Sequence, residues 1–96
     1  MKLAVNQYEL GMVFLLTDRL SLAHEHLEKA LANAEQSGDP MVLGCVYQAA
    51  GQLKAALQEK ADAACSFLQA LKHFKRAGDL LACKEVEDLM KKLEPA

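Results

Sequence analysis

The chain has 96 residues, 52% of them apolar and 25% charged, with a formal net charge of −2. A protein of this size supports one modest core, and 13 acidic against 11 basic residues exclude a field that would steer nucleic acid or an anionic membrane surface. With 17 Leu and 16 Ala but no Ile, five Val and one Thr, strand-favouring residues are too few for a sheet, and the composition predicts an all-α fold.

Periodicity and punctuation predict five helices. The first spans 2–17. Its opening, Met1-Lys2-Leu3-Ala4-Val5, starts like a signal peptide, but Asn6, Gln7 and Glu9 interrupt it at once. The next apolar run, Met12 to Leu16, is far shorter than the roughly 18 residues of a membrane span. At about 100° per residue, Leu3, Leu10, Val13 and Phe14 form one stripe, and Val5, Tyr8, Met12, Leu15 and Leu16 form a second. A helix apolar nearly all round is normally buried on both sides. Thr17-Asp18 ends it, and Ser21 is placed to cap the second helix, 20–37.

Ser37-Gly38-Asp39-Pro40 is the strongest punctuation in the chain. Glycine supplies a left-handed C-cap, Asp39 caps the third helix, 40–57, and Pro40 sits in its first turn. The stretch Lys54 to Ala61 contains no Gly, Pro, Ser or Asn, so the corner before the fourth helix, 60–77, lacks a stop signal. It can either straighten into one long helix, permitting domain swapping, or turn tightly under tertiary packing. Ala77-Gly78-Asp79 repeats the Gly-Asp device before the fifth helix, 79–93, and Pro95 ends the chain. In that last helix Ala82, Val86, Leu89 and Leu93 form an inner stripe. Lys84, Glu85, Glu87, Asp88, Lys91 and Lys92 face outward, as a solvated terminal cap requires.

Laid on itself, the chain repeats at an offset of forty residues. Ala30-Leu31 recurs as Ala70-Leu71 and Gly38-Asp39 as Gly78-Asp79, while Gly11 falls on Gly51, Ala23 on Ala63 and Leu27 on Phe67. Small residues recur at small positions and large apolar ones at large positions. Gly11, Gly51 and the alanines let helices approach closely, and Leu10, Phe14, Leu27, Leu31, Leu53, Phe67 and Leu71 fill the remaining space.

These positions resemble the tetratricopeptide repeat family. In the first repeat the matches are Leu10-Gly11, Phe14, Ala23, Leu27 and Ala30, with Gln7 where an aromatic is expected. In the second, Tyr47, Gly51, Ala63, Phe67 and Ala70 match, while Ala50 and Lys54 depart from the pattern. The repeat is longer than the family's common form of roughly 34 residues. The resemblance covers the whole chain and implies an antiparallel helix-pair α-solenoid: repeat one over 2–38, repeat two over 40–78, and a capping helix over 79–93.

Candidate chemistry is sparse. His24 and His26, two apart, point to different helix faces and cannot share a metal. His24 and Glu28 are one turn apart, but two ligands do not make a site. His73 lies in the basic cluster His73-Phe74-Lys75-Arg76, placed to favour a helix C-terminus. Cys45, Cys65 and Cys83 fit neither a disulfide framework nor zinc spacing, and read as buried small apolar residues in a reducing cytoplasm. No nucleophile elbow or phosphate loop occurs, and Glu85, Glu87 and Asp88 belong to a charged exterior. The chain is expected to be no enzyme and to use no cofactor or metal.

What remains is recognition of a protein or peptide. The resemblance implies that helices one, three and five line a concave groove, presenting Val5, Tyr8, Met12, Leu15 and Leu16, then Cys45, Gln48, Gln52 and Ala56, then Glu85, Asp88 and Lys92. The Lys/Asn cluster by which chaperone-binding relatives clamp carboxylates is absent, with Tyr8, Met12, Gln48 and Gln52 in its place. An adaptor or scaffold is the expected role, and a peptide- or ligand-sensing domain of a larger regulator is the alternative. Two and a half repeats fall short of the roughly three usually needed for stability. Helix one is therefore expected to be covered by further repeats, a partner, or, for the chain on its own, a second copy in an isologous dimer.

Overall fold

The computed structural model describes residues 2–93, and side chains from Gln7 to Leu93. The chain is all-α: α1 (Lys2–Leu16), α2 (Leu20–Ser37), α3 (Pro40–Ala56), α4 (Lys60–Ala77) and α5 (Leu80–Lys91), with no strand among the described residues. The most extensive pairings are α1 with α2 and α3 with α4; α3 also touches α1 and α2, and α5 lies on α4. The shortest extent of the molecule is 18 Å, about two helices side by side. Leu3 and Val5 lie outside the described side chains, and Pro95 outside the described residues.

Gly38 (φ 71°) and Gly78 (φ 75°) end α2 and α4 in the left-handed conformation. Asp39 then accepts from the Met41 amide at 2.9 Å, and Asp79 from the Ala82 amide at 3.0 Å, capping α3 and α5. Ser21 does not cap α2. The N-cap position falls on Arg19, without a side-chain bond, and Ser21 sits exposed inside the first turn.

The two remaining corners close by one device. Asp18 (φ 62°) and Gln58 (φ 64°), forty residues apart, both adopt the left-handed conformation. Behind them the Arg19 amide donates to the Phe14 carbonyl at 2.8 Å, and the Glu59 amide to the Lys54 carbonyl at 2.9 Å. The α3–α4 corner is thus a tight turn, not a continuous helix. Two side-chain-bearing residues accept an unfavourable backbone region because the helices must fold back to bury their apolar faces.

The core is knobs on notches. A Cβ on Gly51 would stand 2.5 Å from the Phe67 ring, one on Gly44 2.6 Å from Phe74, and one on Gly11 2.6 Å from Leu27. Phe67 and Phe74 gather Ala63, Ala70, Ala82, Cys83 and Val86 into the larger cluster. Ala30, Ala34, Leu43 and Val46 form a second, and Ala23, Leu27, Ala49 and Leu53 a third.

Three readings of side-chain placement change. Leu10 does not fill the core: it is exposed together with Val13 and Leu16, while Tyr8, Met12, Phe14 and Leu15 pack inward. Neither sequence stripe of α1 is therefore one face, because the packed face takes members from both. Cys83 is buried and Cys45 half-buried, but Cys65 is exposed. The inner stripe of α5 does not change: Ala82 and Val86 are buried and Leu89 and Leu93 half-buried, with Leu80 and Leu81 exposed at its start.

Candidate functional site

Tyr8 of α1 and Cys45 of α3 come together. With Met41, Val42 and Val46 they line a cavity of about 150 Å³, all of whose lining residues are apolar or weakly polar. The packing of α1 on α3 sets Tyr8 against the first turns of α3, and the Pro40 start of α3 puts Met41, Val42 and Cys45 within one and a half turns of each other. A volume of this kind accommodates one aliphatic side chain of a partner, not a drug-sized ligand.

The surroundings are acidic. Burial pushes the Tyr8 phenol above its ordinary range, with the Cys45 thiol and the Glu9 carboxylate adding to the rise. Burial likewise pushes the Cys45 thiol up, helped by Asp79 and Asp39, so the thiol stays protonated and is no nucleophile at neutral pH. Asp39 reaches this rim through its bond to the Met41 amide, itself part of the cavity wall.

The other expected groove residues are distributed more widely. Met12 and Leu15 pack toward the α2–α3 core, and Gln48 and Gln52 are half-buried on α3. Glu85 is exposed, as are Ala56 and Lys92. Asp88 lines a separate recess on α4 and α5 with Lys75, Lys84, Glu87 and Lys91. Leu16 does not join Tyr8 and Met12: it points out beside Val13, 79% exposed. Val5 lies outside the described side chains.

Two polar clusters were not legible as such. His26 is half-buried rather than solvated, sharing a 2.6 Å hydrogen bond with Gln7 and stacking on Phe14 at 5.3 Å. His73 is buried, not a cation at the helix end, and stacks on Tyr47. Its Nδ1 accepts from Arg76 at 3.4 Å, and the Tyr47 hydroxyl donates to Glu35 at 3.3 Å, so the cluster ties α2, α3 and α4 together. Burial lowers the His73 pKa, with Arg76 and Lys72 acting in the same sense and Glu35 opposing.

His24 and Glu28 pair at 3.0 Å on an exposed surface. Among the described residues no group of three His, Cys, Asp or Glu side chains gathers as a metal site would require. Among the described residues no helix is long and apolar enough to cross a membrane. No protein-family model matches the chain, and no curated protein or solved structure does either.

Proposed function

We propose that the chain is a protein–protein interaction module, an adaptor or part of a scaffold, built as two tetratricopeptide-like helix pairs with α5 as a terminal cap. It takes an extended or helical segment of a partner across α1, α3 and α5. The observation that carries this reading is the apolar cavity between Tyr8 and the start of α3, rimmed by acidic side chains. A single aliphatic side chain seated there gains about 1.5–3 kcal/mol from burial, and a lysine or arginine beside it meets Asp39 and Asp79. The lysines of α5 are displaced from this rim onto the outer recess, which keeps the cavity side acidic.

The test is selection of peptides from a random library on the full chain, with Val42→Phe as counter-selector, because Phe fills the cavity from its own wall. Peptides with an aliphatic residue next to a basic one are expected to be enriched on the wild type and lost on the variant. Equal enrichment on both, with the variant equally helical, rejects the cavity as the binding site.

A further inference from the structure

The forty-residue offset relates the first helix of each pair, so the surfaces that cover α3 and α5 define what the same face of α1 accepts. In α3, Leu43 and Val46 are buried against Ala30 and Ala34 of α2, and Ala49 and Leu53 against Ala23 and Leu27. In α5, the equivalents Cys83 and Val86 are buried against Ala63, Phe67, Ala70 and Phe74 of α4. Each helix lies on the alanine-spaced face of the helix before it.

On α1 the corresponding positions are Glu9, matching Ala49, and Val13, matching Leu53, with Leu10 beside them and Leu16 one turn on. Val13 is 54% exposed where Leu53 is 2% exposed, and Leu10 is 38% exposed. The contrast has a direct cause: α2 covers Leu53, and no described helix covers Val13.

Among the described residues a second copy of this chain has no open alanine face. The alanine faces of α2 and α4 are already occupied by α3 and α5. The outer side of α5 offers no such notch, because Lys84 and Lys91 stand where α3 has Gly44 and Gly51, which receive Phe74 and Phe67. Two α1 helices face to face would each bring a Glu9 carboxylate under a face whose other members, Leu10, Val13 and Leu16, carry no basic residue to pair it.

We propose that the Glu9–Leu10–Val13–Leu16 face of α1 docks an amphipathic helix of a partner, one that presents alanines three or four residues apart and carries a lysine or arginine opposite Glu9. The alanines allow the close approach that seats Val13 as Leu53 is seated. The cation is required because Glu9 occupies the place of Ala49, which is 1% exposed, and a carboxylate brought under a helix must be paired. This face is separate from the Tyr8–Cys45 cavity, so the two surfaces are testable apart.

The probes are two synthetic 18-residue helical peptides with the Ala23, Leu27, Ala30 and Ala34 pattern of α2, one flanked by lysines and one by glutamates. Nuclear magnetic resonance titration of the full chain is expected to move the amides of Leu10, Val13 and Leu16, with the lysine peptide favoured by about fivefold. Val13→Lys, an exposed position that tolerates the change, abolishes the shifts, and Glu9→Lys inverts the preference between the peptides. The proposal is overturned by an unmoved α1, by shifts confined to Tyr8 and Cys45, or by an unchanged preference in Glu9→Lys. A dimer in light scattering that Val13→Lys disperses, and that the peptides do not displace, would make a second copy the occupant instead and also overturn it.

Discussion

The Tyr47 ring lies flat on the His73 imidazole, with centroids 5.6 Å apart and planes within 10°. The contact joins α3 to α4 and holds a buried histidine as a neutral aromatic surface. Protonation would charge a buried ring and place a third cation beside Arg76 and Lys72, opposed by Glu35, which explains the lowered pKa.

Acid should therefore weaken the fold through His73. The unfolded chain takes up the proton first, near the ordinary histidine value of about 6.5. The stability held by neutral His73 is thus complete above that pH and is lost as pH falls through the lowered native value. Melting temperatures at pH 7.5 and pH 5 should diverge more for wild type than for His73→Phe, which keeps the stack and cannot titrate. Equal losses in both would remove His73 from the acid response.

Gly51 should not accept a methyl group. Alanine gains about 1 kcal/mol of helix propensity, but its Cβ would sit 2.5 Å from the Phe67 ring, which is itself fully buried. Overpacking of this kind costs about 1–3 kcal/mol, so chemical denaturation of Gly51→Ala should show a net loss. A gain would mean that Phe67 has room to move.

Gln58 should be improved by glycine. Its φ of 64° is disfavoured for a side-chain-bearing residue and natural for glycine, in a cap that Gly38 and Gly78 already use. Gln58→Gly is expected to stabilise by about 0.5–1 kcal/mol and to leave hydrodynamic size unchanged. A change in size on gel filtration would show that the corner exchanges helices between chains.

Asp79 should matter more than its exposure suggests. Its carboxylate satisfies the Ala82 amide at the start of α5, the shortest helix, which is tied down by packing on α4 alone among its extensive contacts. Asp79→Ala should cost about 1 kcal/mol, and amide exchange should quicken in α5 before it does in α3. Uniform quickening across the chain would mean that α5 does not open independently.

The five helices were legible in the chain because their signals are local. Apolar periodicity, the Gly-Asp punctuation and Pro40 place every helix within two residues of where it lies, and the forty-residue offset pairs the equivalent positions. Three features are not local. The α3–α4 corner has no breaking residue, and the turn exists because α3 and α4 gain more by packing Gly44 and Gly51 on Phe74 and Phe67 than Gln58 loses in backbone energy. His73 carries the sequence signature of a basic helix end, but the rotation of α4 against α3 turns it under Tyr47 while Lys72, Lys75 and Arg76 stay out. α1 is apolar on nearly every side, so periodicity had no broad polar face from which to orient it. The notch at Gly11 made the choice: it draws Leu27 close, turns Tyr8, Met12 and Leu15 inward, and leaves Leu10, Val13 and Leu16 outside.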